Sequence, residues 1–285
     1  MKLKCRFCKS REIVKYGTRN NKGEKKQVYK CKSCSHKFTM NDGFLYSKYN
    51  SQLITVALDC YVRGMSMRDT ACHLEMLYGK RPSSSTVLEW IRKYGKMTEN
   101  YTRKLKPKLG SVWMADEMNL KFNLKENWLW VVEDKATRYM IACNPTMLRI
   151  QKHANATFEQ ASKLGTPQTV ITDGLHHYPQ AIEKSFGKDV KHIRSRGCAG
   201  EKAKNTRIER LNGTIRQREK VMRGMYNAGT AKDLMRAFQI HYNFIRPNMA
   251  LENKTPAQAA ELNLRLGQDK WKGLISRGAN ISNGV

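Results

Sequence analysis

Residues 111–143 read SVWMADEMNLKFNLKENWLWVVEDKATRYMIAC, and the fold turns on them. Residues 111–116 read as a strand that ends on a carboxylate, and 127–132 form a nearly continuous apolar run. A third strand, 138–143, is joined to the second by the turn 133–137. Downstream, 150–164 reads as a helix and 169–172 as a short buried strand ending at Asp173-Gly174. A helix over 178–186, a strand over 190–193 and helices near 204–223 and 230–245 follow. A three-strand meander, then alternating helix and strand, then helices, is the order of an α/β domain with a mixed sheet flanked by helices.

Asp116 closes the first of these strands and Asp173 the fourth, so neighbouring strands would bring both carboxylates out at one sheet edge. The long helix carries Asn205, Glu209, Asn212 and Arg216 at i, i+4, i+7 and i+11, a single face. An adjacent apolar stripe of Ile208, Leu211, Ile215 and Met222 would pack on the sheet and aim Glu209 at the same edge. Three hard carboxylates suit a pair of Mg2+ (or Mn2+) ions. Two such ions about 4 Å apart activate an attacking oxygen and stabilise a leaving one in phosphodiester displacement. Arg207, Arg210 and Arg216 would hold phosphates nearby. Taken singly, each acid also has an ordinary reading: an Asp at a strand end caps a turn, and a helical Glu is solvated. Glu117 is the alternative to Asp116, although neighbours on a strand face opposite ways.

The charge balance points to the partner. Lys and Arg number 53 against 24 Asp and Glu, a formal +29. Such a field attracts polyanions, and nucleic acid is favoured over anionic lipid or mere solubility. Residues 1–50 hold 14 basic and 3 acidic side chains, and 194–223 hold 10 and 3, which suggests two surfaces of contact. The sequence has no apolar run of membrane-spanning length and no signal-like N-terminus, so an intracellular location is expected.

Cys5-x2-Cys8 and Cys31-x2-Cys34 are separated by 22 residues. Two such knuckles supply the four thiolates of one closed, structural Zn2+ site; disulfides or a redox pair are the alternative. The intervening residues read as strand, turn (Asn20-Asn21-Lys22-Gly23), strand, which makes 1–48 a zinc ribbon. It has too few apolar groups for a core of its own, so metal would supply the folding energy. His36 packs or points at a partner. The remaining cysteines, Cys60, Cys72, Cys143 and Cys198, read as buried small hydrophobes.

Residues 49–106 read as three helices. The first stops at Gly64, the second is capped by Ser66 and ends near Gly79, and the third opens after Pro82 with Ser83–Ser85. This is the order of a helix-turn-helix, with 84–96 as recognition helix and Arg92, Lys93 and Lys96 toward DNA. An ordinary three-helix packing unit is the alternative. The stretch 267–285 reads as a loosely ordered tail.

WMADEMNLK (113–121), VITDGLHHY (170–178) and NTRIERLNGTIRQREK (205–220) resemble the three signature blocks of DDE transposases, the compact insertion-sequence enzymes with a retroviral-integrase-like (RNase H-like) core. The 35 residues between Asp173 and Glu209 match that family's interval, and Arg216 stands where it usually carries Lys or Arg. HYNFIRPNMALENKTPAQAA (241–260) resembles its closing segment, with departures at Asn248, where His is common, and at His176-His177.

The resemblance implies an RNase H-like mixed five-stranded sheet over 107–266 with Asp116, Asp173 and Glu209 as metal ligands. It implies hydrolysis that frees a 3′-OH, then direct attack of that hydroxyl on target DNA. The ribbon and helix-turn-helix would grip terminal inverted repeats, and a homodimer or larger assembly on DNA is expected, in a prokaryotic cytoplasm and associated with the nucleoid. The rival readings are a non-catalytic, zinc-dependent DNA-binding regulator and a nuclease that only hydrolyses.

Overall fold

The computed structural model describes residues 3–21, 24–45, 47–122, 125–195, 202–220 and 227–282. Cys198, Met222 and the Lys22-Gly23 pair lie outside them, as does the side chain of Asn205.

The chain begins with a small antiparallel sheet of β1 (Ile13–Asn21), β2 (Glu24–Cys31) and β3 (Lys37–Thr39). Its buried hydrophobic residues are Cys5, Cys31 and Phe38, so two of three are metal-ligand types. Three helices follow where local signals place them. Asn50 caps α1 (Ser51–Arg63) by accepting from the Leu53 N–H, and Gly64 ends it at φ 114°. Ser66 caps α2 (Met67–Tyr78), which ends on Gly79 at φ 62°. Ser83 caps α3 (Ser84–Thr102). A side-chain oxygen on an otherwise unpaired helical N–H starts each helix, and glycine permits the left-handed stops of the first two.

The larger sheet has the order β6-β5-β4-β7-β8. Strands β4 (Val112–Phe122), β5 (Lys125–Asp134) and β6 (Met140–Thr146) form the antiparallel meander. Strands β7 (Thr169–Thr172) and β8 (Lys191–Arg194) join β4 in parallel. The crossovers are α4 (Gln151–Ser162) and α5 (Tyr178–Phe186), whose Phe158, Tyr178 and Ile182 are buried. On the opposite face lies α6 (Lys202–Glu219), where Ile208 packs on Met114 and Ile171. This is the mixed five-stranded sheet flanked by helices that the sequence predicts.

α7 (Ala228–Ile240) runs into a π-helical turn at His241–Ile245, closed by the Arg246 N–H donating to the His241 carbonyl at 2.8 Å. The wider turn aims Asn243 at the sheet, where its amide brackets Met140: Oδ1 accepts from the Met140 N–H at 2.8 Å and Nδ2 donates to its carbonyl at 2.9 Å. A short α8 (Pro256–Ala259) carries a capping box between Thr255 and Gln258.

Three expectations need correction. Asp116 does not end its strand: β4 runs on to Phe122, because the β4–β5 hairpin extends beyond the rest of the sheet. Cys72 is exposed rather than buried, since it lies on the outer side of α2. The stretch after 267 is no loose tail, for α9 (Lys270–Ser282) buries Trp271, Leu274, Ile275 and Ala279. It packs against α3 and α1, and further ties are Thr55 Oγ1 to Asp269 (2.7 Å), Ser276 Oγ to the Asp42 carbonyl (3.1 Å) and Lys272 to Glu24 (3.6 Å). Gly278 permits that approach, because a Cβ there would lie 2.4 Å from the Met97 carbonyl oxygen. Gly278→Ala is therefore expected to destabilise the protein by about 1–3 kcal/mol, read as a lowered denaturant midpoint at unchanged m-value. An unchanged midpoint would mean that the two helices do not meet so closely.

Candidate active site

β7 pairs with β4 in the register Val112↔Thr169, Trp113↔Val170 and Met114↔Ile171. Two more residues along that register put Asp173 beside Asp116, at the point where β7 leaves the sheet. Asp116 shares its strand face with Met114, the α6 side. There the Asn212 Nδ2 donates to its Oδ2 at 2.8 Å. Glu117 points to the other face, where it accepts from the Tyr178 hydroxyl and pairs with Arg149. Even so, one carboxylate oxygen from each of Asp116, Glu117 and Asp173 comes within 4.8 Å of the others.

Crowding three acids has an electrostatic signature. Burial, then the charges of Glu117 and Asp173, push the Asp116 carboxyl up to about 7. Burial also raises Glu117, against the hydrogen bond from Tyr178 and the charge of Arg149. Asp173 sits in the exposed turn after β7, with its Oδ1 accepting from the Leu175 N–H at 3.1 Å. Hard oxygens gathered at the cost of mutual repulsion are the donor set a divalent cation suits, because the cation relieves that repulsion.

Glu209 is not one of the close group. It is exposed on α6, one turn before Asn212, and its charge is the last contributor to the Asp116 shift. Arg216 follows on the same helical face, also exposed. Arg207 and Arg210 leave from the other flank of α6, with Arg207 donating to the Lys135 carbonyl at 2.6 Å. Sequence reasoning passed over the supporting groups Asn212, Arg149 and Tyr178. Of these, only Asn212 had left a trace, its place on the Glu209 face of the helix.

The three cations expected on α3, Arg92, Lys93 and Lys96, are all exposed. Arg92 bonds Thr230 at 2.9 Å and pairs with Asp233 at 3.4 Å, tying α3 to α7. His177 is held by Gln151 and the Arg149 carbonyl rather than by an acid of the cluster.

At the N-terminus, one sulfur from each of Cys5, Cys8, Cys31 and Cys34 lies within 4.8 Å of the others. The Cys5–Cys34 and Cys8–Cys31 separations are 3.6 and 3.5 Å, close to the ~3.8 Å edge of a tetrahedron with 2.3 Å metal–sulfur bonds. The residue after each CxxC pair, Lys9 and Ser35, takes a left-handed turn (φ 63° and 60°), so the two knuckles repeat one another. The Cys34 N–H donates to the Cys31 sulfur and helps hold that thiol down at about 6, poised as a thiolate ligand. His36 stacks on Phe7 at 4.5 Å, outside the sulfur set.

A family model described as a DDE domain matches residues 110–247, the segment that carries the sheet, the acid cluster and α6. The transposase for insertion sequence element IS257 in transposon Tn4003 of Staphylococcus aureus is 27% identical over 213 residues, covering 72% of this chain and 89% of that protein. Over this segment the chain resembles the insertion-sequence DDE transposases. The transposase of the insertion sequence-like element IS431mec from S. aureus strain Mu50 is likewise 27% identical, over 72% of the chain and 89% of its own length. Among solved structures, the HTLV-2 integrase catalytic core domain in complex with magnesium is 20% identical, covering 55% of this chain and 98% of its own, with a TM-score of 0.41. A simian T-cell lymphotropic virus intasome chain is 15% identical over 72% of this chain and 74% of its own, with a TM-score of 0.44. Among the described residues, no helix is long and apolar enough to cross a membrane.

Proposed function

We propose that this protein is a DDE transposase that cuts a phosphodiester at the ends of its DNA element and joins the freed 3′-OH to target DNA, with Asp116, Asp173 and Glu209 as the metal-holding acids. The observation that carries this reading is the meeting of Asp116 and Asp173 where β7 leaves β4, beneath the helix that bears Glu209. The donor set fits Mg2+ or Mn2+, and two such ions, when bound, would activate the attacking oxygen and stabilise the leaving one.

The chain's own residues prepare that site. Asn212 fixes the Asp116 carboxylate by its hydrogen bond, leaving the other oxygen for a ligand. Arg149 and Tyr178 hold Glu117 to the far face, so that it adds negative field without taking the place of Asp116. Glu209 lies on the Asn212 side of α6, one turn from the Asp116 contact, and completes the set from there. Arg216, one further turn along, faces the phosphate of the scissile strand. At the other end, Cys5, Cys8, Cys31 and Cys34 hold one structural Zn2+, and the ribbon with α1–α3 grips the terminal inverted repeats through the exposed Lys93 and Lys96. Two ends must be held together, which calls for at least a dimer on DNA.

The test mixes purified protein, Mg2+ or Mn2+, a duplex carrying the element's terminal repeat and a target plasmid. End cleavage followed by joined product is the expected result. Cleavage without joining would leave a nuclease, and binding without metal-dependent cleavage would leave a DNA-binding regulator.

A further inference from the structure

The two flanks of α6 differ. Glu209, Asn212 and Arg216 share one, toward the acid cluster. Arg207, Arg210, Leu211, Thr214 and Arg218 recur at i, i+3, i+4, i+7 and i+11 on the other. This second flank faces a cleft of about 360 Å³ whose opposite wall is Arg138, from the β5–β6 turn, and Arg246 with Pro247–Met249, from the segment after the π-helical turn. Four guanidinium groups, those of Arg138, Arg207, Arg210 and Arg246, therefore line one cleft.

Among the described residues, the only carboxyl lining it is Glu133, which is buried, and its Oε1 accepts from the Tyr242 hydroxyl at 2.9 Å. Burial raises that carboxyl to about 7, so near neutral pH it carries only part of one negative charge against four cations. One turn further along α6, Arg218 donates to the Arg63 carbonyl of α1, and burial together with the charges of Arg246 and Arg63 lowers its pKa. The cations thus continue from the catalytic sheet to the first helix of the N-terminal module. Like charges collected at a cleft mouth repel, and their accumulation is stabilised when a polyanion lies along them.

We infer that this cleft is a second DNA-backbone site, in which Arg138, Arg210 and Arg246 take successive phosphates of a duplex on the flank of α6 away from the acid cluster. The planar fork of arginine suits two oxygens of one phosphate. Met249, 88% exposed, stands at the mouth of the cleft, where an apolar group packs against deoxyribose. The same chemistry is offered by the element's own end, running from the N-terminal module, and by the target duplex. The site rests on the reading of this chain as a DNA-handling enzyme, not on any assignment of its catalytic acids.

The test measures duplex binding by full-length, zinc-loaded protein without added Mg2+ or Mn2+, so that no cleavage is needed, across a salt series. The proteins compared are wild type, Arg210→Gln, the pair Arg138→Gln/Arg246→Gln, and Lys188→Gln as a control on the exposed α5–β8 turn. Arg210 is exposed, so its exchange tests the site even where the buried-side pair fails to fold. Each lost phosphate contact is expected to weaken binding on the order of tenfold and to reduce the salt slope by about 1. Lys188→Gln should change neither.

A second arm offers a target duplex to protein already loaded with an element end. If end binding falls, the cleft holds the end; if only target capture falls, it holds the target. Unchanged affinity and slope in both arms for Arg210→Gln and the pair would overturn the proposal. Wild-type binding without any cleavage once Mg2+ is added would sink the catalytic reading and leave this site standing.

Discussion

Asp116→Asn is expected to lower strand cleavage and strand transfer by at least about a thousandfold while making the metal-free protein more stable at neutral pH. The first effect follows from removing one hard anionic ligand from the proposed metal site, a loss worth about 4 kcal/mol of transition-state stabilisation. The second follows from the sign of the Asp116 shift. Its carboxyl is raised to about 7, chiefly by burial and by the charges of Glu117 and Asp173. An acid whose folded pKa lies above its unfolded one binds its proton more tightly when folded, so stability falls as pH rises from about 4 toward 7. Asparagine carries no charge to bury, and its side-chain oxygen still accepts from Asn212. Above pH 7 the variant should gain on the order of 2 kcal/mol over the metal-free wild type, read by thermal or denaturant unfolding in EDTA. Mg2+ should then stabilise the wild type and leave the variant unmoved. A variant that loses both cleavage and stability would show that Asp116 is structural and that the acids do not converge on metal.

Cys5→Ser should unfold the first forty or so residues and leave the catalytic sheet intact. The ribbon buries little beyond Cys5, Cys31 and Phe38, far too little to offset the ordering of its chain. The four sulfurs converge in the geometry of a tetrahedral metal, and removal of one leaves an open site with a weak, neutral ligand. Specific binding to element ends should fall at least about a hundredfold, and limited proteolysis should trim the N-terminus. The large core, which excludes the ribbon's cluster, should melt within a few degrees of wild type. EDTA treatment should reproduce the effect, and zinc per chain should fall from one to none. Equal zinc content in wild type and variant would remove the ribbon site from consideration.

Local signals explain what the sequence shows plainly. Asn50, Ser66, Ser83, Gly64 and Gly79 mark helix ends by chemistry confined to a few residues, and the helices form there. The apolar runs of the meander and the short run before Asp173 are likewise legible, and with them the place where two carboxylates meet. What escapes is decided by partners distant in sequence. WKGLISRGANIS holds two glycines and reads as a poor helix; it becomes one because those glycines let α9 lie against Leu266 and Met97. Arg92 looks like a cation outside an apolar stripe until α7 arrives to claim it. The extension of β4 past Asp116 alternates polar residues with the buried Met118 and Leu120, and its pairing with β5 carries the strand on to Phe122. Glu209 is found from its interval and flanking residues, whereas Asn212, which touches Asp116, has no signal beyond sharing a helical face.

The packing of α9 on α1 and α3 also bears on when this protein can act. Residues 270–282 are synthesised after the catalytic core, yet they supply Trp271, Leu274 and Ile275 to the core that supports the N-terminal helices. A nascent chain still short of them has an incomplete scaffold beneath its N-terminal helices. Reading-frame loss anywhere before residue 270 would do more than shorten the protein, since it would strip support from the helices made first. A truncated copy with all its acids in place is therefore expected to hold its N-terminal helices less firmly than the full chain does.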